Sequence, residues 1–298
     1  MIRLALRVRR GQAEIVLAEL LELAPSGVEE VQLEDGTVEY AVYGAPGELP
    51  GLPDLNAVAG EALVEISTSE TPDDWHERWR QFHRPVMIDG PPARRGAARR
   101  VPGLHVRPPW EAPSAQTGQE LLEIVIDPGQ AFGTGGHDST RLCLALLLEL
   151  TACIPAPGAL LDIGGGSGVL AIAAAQLGFA PVLALDHELE SVAATAQNAA
   201  VNACAVDARR LDLRVEELPW LEPAGRPAGS LVVLANLLRP LLLELAEKMP
   251  SPPDHLVAGG LLRHEVDEVA AAFAERLGLR ERERRESGEW GALWLSER

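Results

Sequence analysis

The stretch Asp162-Ile-Gly-Gly-Gly-Ser-Gly168 limits what this chain can fold into more than any other. It follows the apolar run 159–163 and opens a second apolar run, 169–177, so it reads as a buried strand, a glycine turn and a helix. Glycines at alternate positions let the backbone bend sharply and approach a ligand with no Cβ in the way. From about residue 119 the strand and helix patterns keep alternating. Strands are expected at 120–126, 159–163, 182–186, 211–215, 231–235 and 256–258, with helices at roughly 139–150, 168–177, 189–202, 239–248 and 265–278. Residues 279–283 and 290–295 read as a closing hairpin. Such alternation requires a mainly parallel sheet with helices on both faces, a Rossmann-like α/β domain over residues 119–298.

Residues 1–70 follow a different pattern. Strands at 2–8, 28–33, 38–42 and 62–67 and helices at 12–23 and 52–62 give the order βαββαβ, the split βαβ or ferredoxin-like α+β sandwich. This segment holds four Arg and thirteen Asp or Glu and no cluster of nucleophiles or ligands, so recognition suits it better than catalysis. Residues 71–118 read as a helical and flexible connector. Trp75 and Trp79 share one helix face there, and the arginines 94, 95, 99 and 100 read as a solvated loop.

At 298 residues two domains are expected, and a net charge of −18 disfavours nucleic acid while favouring a basic partner. The longest apolar stretch, 142–154, is broken by Glu149 and is too short to span a membrane, and the amino terminus alternates charge with apolar residues unlike a signal peptide. Cys143, Cys153 and Cys204 have neither disulfide nor metal spacing, which points to a reducing cytoplasm and to no metal site.

Two further elements bear on the chemistry of the turn. Asp186, at the end of the next strand, is placed to accept both hydroxyls of a ribose. A dinucleotide site uses the same physics, and residues 166–171 satisfy a loose version of its glycine pattern. Asp162 tips the reading, because an acid there disfavours a pyrophosphate and suits the cationic sulfonium and amine of S-adenosylmethionine. A second glycine loop, Phe132-Gly-Thr-Gly-Gly-His137, ends at a helix start. Loops at strand ends of an open sheet converge on one crevice, so Phe132, Gly133 and His137 are expected to face Gly164 and Gly166 across a cofactor pocket. His137 reads as a base or as a hydrogen-bonding scaffold, and Thr140 as a ligand-facing hydroxyl or a helix cap. Asn236, directly after an apolar strand, either offers a carbonyl oxygen to a substrate amine or forms a turn.

Together, the loop 127–140, the turn 161–168 followed by Leu170-Ala-Ile-Ala-Ala, Asp186, Ala235-Asn-Leu237, Gly260-Leu-Leu-Arg263, Gly288-Glu-Trp290 and the connector from Trp75 to Pro85 closely resemble the bacterial ribosomal protein L-eleven (L11) methyltransferase family. The resemblance covers residues 71–298 well, and the amino-terminal unit by topology and length. It implies a class I methyltransferase domain in which Thr140, Gly164, Asp186 and Asn236 contact S-adenosylmethionine. It also implies methylation of lysine and amino-terminal amines, with residues 1–70 docking the ribosomal protein. Methylation of another amine or small molecule, and a non-catalytic ribosome-binding relative, are the alternatives. Gly136 stands where that family usually has Thr or His, and Gly165 where it has Thr.

Overall fold

Alternation of apolar and charged residues in the first strand sorts its side chains to two faces, and a sheet follows from that alone. The chain is described by a computed structural model over residues 2–13, 29–33, 36–44, 60–70, 83–92, 98–114, 121–128, 135–219 and 230–297, with positions 16, 20, 49, 55 and 59 besides. It divides into two compact units, Met1–Phe82 and His83–Arg298.

In the first unit β1 (Ile2–Arg9), β2 (Glu29–Gln32), β3 (Thr37–Gly44) and β4 (Leu63–Glu70) form a sheet of order β2-β3-β1-β4, with every neighbour antiparallel. Leu4, Leu6, Val8, Val38, Tyr40 and Val42 bury on one face with Leu20 and Leu55. The other face carries Arg3 and Arg7, paired with Glu39 and Glu65 at 2.6 and 3.4 Å. All four strands expected in this segment are present. Most of the residues expected as its helices, and the connector helix around Trp75 and Trp79, lie outside the described residues.

The second unit departs from expectation at its start. Part of the stretch expected as a flexible connector is sheet: β5 (Val86–Ile88) pairs antiparallel with β6 (Gly103–Arg107), which runs parallel to β7 (Leu121–Val125). β7, expected as the first strand of the large sheet, belongs to this small one. Burial explains both differences, since Ile88, Leu104, Val106 and Ile124 join the core of the domain. The Arg99 guanidinium donates to the Leu177 carbonyl at 2.8 Å, and the Ala98 amide to that of Ala152 at 2.7 Å, so this end of the arginine-rich stretch is anchored. Arg94 and Arg95 lie outside the described residues.

The large sheet comprises β8 (Pro157–Ile163), β9 (Val182–Asp186), β10 (Val206–Arg210), β11 (Ser230–Asn236), β12 (His255–Leu262), β13 (Arg280–Ser287) and β14 (Trp290–Ser296), in the order β10-β9-β8-β11-β12-β14-β13. The first five strands are parallel, and β14 runs antiparallel to both β12 and β13. Helices α1 (Asp138–Cys153), α2 (Val169–Gln176), α3 (Leu189–Val201), α4 (Arg239–Lys248) and α5 (Val266–Leu277) complete it. Alternate strand residues feed two cores: Leu160, Val232, Leu234 and Val257 pack with α1 and α2, while Leu161, Val233, Ala235 and Leu256 pack with α4 and α5. Glu149, buried on apolar α1, is satisfied by Arg285 at 3.3 Å.

The strand expected at 211–215 lies instead at 206–210. Val206–Arg210 is an edge strand whose second, fourth and fifth residues are exposed, so it lacks the apolar run of the inner strands. The alternating residues after it are bent into a turn by Asp212, whose carbonyl accepts from the Val215 and Glu216 amides and whose carboxylate accepts from the Arg214 amide.

Candidate active site

The chain runs from β8 outward to β9 and β10, then returns to β11 on the other side of β8. Loops leaving β8 and β11 therefore diverge, opening a crevice at the carboxyl ends of the strands, where ligands of open α/β sheets bind. Gly164, Leu185, Leu211 and Leu213 line a cleft there, with Asp186, Asp212 and Arg214 also in its wall.

The glycine turn is closed by its own hydrogen bonds. Gly164, Gly166 and Gly168 have φ of +78°, +54° and +82°, a region that side-chain-bearing residues rarely adopt. The amides of Gly164 and Gly165 donate to the Leu185 carbonyl at 2.8 and 3.0 Å, and that of Gly168 to the Gly165 carbonyl at 2.8 Å. The Gly166 amide donates to Asp186 Oδ2 at 2.9 Å. At the start of α2, the Ala171 amide donates to Asp162 Oδ2 at 3.1 Å and the Val169 amide to Ser167 Oγ at 3.4 Å. A pyrophosphate needs such amides free. With these donors taken by protein oxygens, the turn is ill suited to a dinucleotide. Gly165 leaves room for a side chain, since a Cβ there would lie 3.5 Å from that of Ala184.

Asp162 therefore acts differently from expectation. Its side chain is fully buried beneath the turn and is not part of the cleft lining; it caps α2 where an anion would otherwise sit. Burial, and secondarily the charge of Asp186, pushes its carboxyl up to about 7 from 3.8. A folded state that holds a proton more tightly than the unfolded chain loses stability as pH rises from about 4 through 7. Asp162→Asn, which keeps an acceptor for Ala171 without the charge, escapes that loss. Its melting temperature relative to wild type is expected to rise by roughly 5 °C between pH 5 and pH 8. Thermal denaturation across that range checks this, and a flat difference would mean that Asp162 is ionised throughout.

Asp186 ends β9, its oxygens accepting from the Gly166 amide at 2.9 Å and the Glu188 amide at 3.0 Å. Oδ2 keeps a second lone pair for a ribose hydroxyl, while Oδ1 also has His187 Nδ1 at 3.4 Å. Asn236 ends β11, where its Nδ2 donates to Thr140 Oγ1 at 3.3 Å and its Oδ1 is buried with no partner among the described residues. Gly259 lies beside Asn236 in the sheet; a Cβ there would come within 3.1 Å of that oxygen and would strike Cys143 Sγ. Gly260 has φ +77°, and a Cβ there would meet the Leu237 carbonyl oxygen at 2.5 Å, so these glycines admit the strand next to the Asn236 turn.

Of the expected site residues, Gly164 and Asp186 line the cleft, the Gly166 amide is bonded to Asp186, and Thr140 and Asn236 are bonded to each other. His137 caps α1: its Nδ1 accepts from the Ser139 amide at 3.2 Å, and its ring stands edge-on to Trp290 with centroids 4.6 Å apart. Those contacts fix the ring at the start of α1. Phe132 and Gly133 lie outside the described residues.

One face of α3 was not anticipated from the sequence. Ser191, Thr195 and Asn198 are buried there, and Asn202 follows at the same helical spacing. Thr195 Oγ1 donates to the Gly166 carbonyl at 3.0 Å, and Asn198 Nδ2 to the Ser167 carbonyl at 2.9 Å. A polar stripe at intervals of four, three and four residues is the pattern that could have revealed it.

This strand order, with an acid ending the second strand beside a closed glycine turn, defines the class I methyltransferase fold. A sequence model of the ribosomal protein L11 methyltransferase family (PrmA) matches residues 55–298. The protein of that name from Bordetella parapertussis is 34% identical, covering 91% of this chain and 92% of its own length. The one from Pelobacter propionicus is 36% identical over 76% of this chain and 68% of its own. Among solved structures, the ribosomal protein L11 methylase of Lactobacillus delbrueckii subsp. bulgaricus superposes with a TM-score of 0.52 at 30% identity, covering 65% of this chain and 94% of that one. The chain belongs to the ribosomal protein L11 methyltransferase family.

Proposed function

We propose that this protein transfers methyl groups from S-adenosylmethionine to ribosomal protein L11, at lysine side chains and the amino-terminal amine. The observation that carries the reading is Asn236 Oδ1, a buried acceptor at the carboxyl end of β11 with no partner among the described residues. Buried polar atoms are nearly always satisfied, so an orphan at a strand end marks the place of an absent donor. An amine nitrogen is such a donor. S-adenosylmethionine supplies an electrophilic methyl group on a sulfonium, and the residues here fit it: apolar walls for the base, Asp186 for the ribose, and a turn whose amides are not offered to phosphate.

Thr140 holds the Asn236 carboxamide so that its oxygen, rather than its nitrogen, is left for the substrate. The nucleophile must be neutral, because a protonated amine has no lone pair. Loss of the ammonium proton to water therefore precedes transfer. The enzyme's contribution is proximity and orientation.

Residues 1–70, thirteen acids to four arginines, serve as the docking unit for a basic protein, and the work is done in the cytoplasm. Among the described residues no helix is long and apolar enough to cross a membrane. The test is incubation of the enzyme with purified L11 and labelled S-adenosylmethionine, followed by mass analysis of intact and digested L11. Methyl increments on lysines and the amino terminus are expected. Label on a different acceptor, or binding without label, would replace this reading by another methyltransferase or by a non-catalytic relative.

A further inference from the structure

Asn198 uses both ends of its carboxamide. Its Nδ2 donates to the Ser167 carbonyl in the glycine turn at 2.9 Å, and its Oδ1 accepts from the Asp127 amide at 3.0 Å, just beyond the end of β7. Only 3% of the residue is exposed. One helical turn on, Asn202 grips Val125 the same way, donating to its carbonyl at 2.6 Å and accepting from its amide at 2.8 Å. β7 is an edge strand of the small sheet, with β6 on one side only. The two asparagines stand in for the missing strand neighbour, and Asn198 extends the grip to the cofactor turn. Sequence separations of 71 and 31 residues are closed through one side chain. Thr195, one turn back, holds the neighbouring Gly166 carbonyl, and Asp186 holds the Gly166 amide. Three side chains thereby fix the orientation of a turn that contains almost nothing but glycine, which has no conformational preference of its own to hold it.

We infer that Asn198 is a positioning residue for cofactor binding: it locks the glycine turn to the end of β7, so that the small sheet and the cofactor turn form one rigid support. The inference rests on the reading of the turn as the S-adenosylmethionine site. Asn198→Asp keeps the shape and the bond from the Asp127 amide but sets a carboxylate oxygen against the Ser167 carbonyl. Asn202→Asp places the same conflict at the carbonyls of Val125 and Asn198, with no contact to the turn itself.

Both variants are expected to melt lower than wild type, yet only Asn198→Asp should weaken S-adenosylhomocysteine binding in calorimetry, by about tenfold or more. With saturating cofactor, kcat toward L11 should stay within about threefold of wild type while KM for S-adenosylmethionine rises. Thr195→Val, which removes the bond to Gly166, should weaken the ligand as well, and Thr195→Ser should restore it; this pair decides the matter if Asn198→Asp does not fold. Equal ligand affinity in Asn198→Asp and Asn202→Asp, or in Thr195→Val and Thr195→Ser, would overturn the inference. Absence of S-adenosylhomocysteine binding by the wild type would instead remove the cofactor reading, and the inference with it.

Discussion

Asn236→Ala is expected to lower kcat by roughly 10²–10³-fold with little change in the melting temperature. Among the described residues the carboxamide oxygen holds no neighbour, and the bond of its nitrogen to Thr140 is a long one at 3.3 Å. On the proposed function, what alanine removes is the acceptor that aims the substrate nitrogen. Misplacement of a nucleophile by about 1 Å is enough for a hundredfold loss. Asn236→Asp keeps an oxygen in place, and the Thr140 hydroxyl can donate to it, so this variant should retain at least about a tenth of the activity. Single-turnover methylation of L11 at saturating cofactor separates the effect from binding. A rate for Asn236→Ala within threefold of wild type would sink the assignment of Asn236.

The second large effect concerns Asp186. Asp186→Ala should weaken S-adenosylmethionine by roughly 100-fold or more, because charge-assisted hydrogen bonds are lost in two places. Bonds to the ligand's hydroxyls disappear, and so do those that hold the Gly166 and Glu188 amides. The turn relaxes at the same time as its ligand loses a partner. Calorimetric titration measures this directly, and an unchanged affinity would remove the pocket assignment altogether. Asp186→Asn should fall between, since its amide nitrogen cannot accept from a backbone N–H.

Much of this site was legible before folding. Residues 159–168 announce a strand and a glycine turn, and Asp186 lies at the end of the strand that follows. What misled was local pattern at the sheet edges. Residues 211–215 alternate as a strand does but form a turn around Asp212, whereas the true edge strand, Val-Asp-Ala-Arg-Arg, is too polar to stand out. An edge strand has only one neighbour and little burial, so composition carries little information about it. Residues 83–114 looked like connector for a related reason: their strands are only three and five residues long, and the sequence between them is rich in Pro, Gly and Arg.

From the sequence alone came the doubly wound sheet, the turn and the identity of the acids, because hydrophobic periodicity and glycine spacing act over a few residues. Only the tertiary structure decided what each polar group does. Asp162 and Asp186 look alike in the chain, yet one is buried as a helix cap and the other ends a strand at the cleft. Asn198, Asn202 and Asn236 are likewise indistinguishable by type. Their partners lie 71, 77 and 96 residues away, and whether an amide oxygen is satisfied or left for a substrate depends on which backbone arrives beside it when the sheets close.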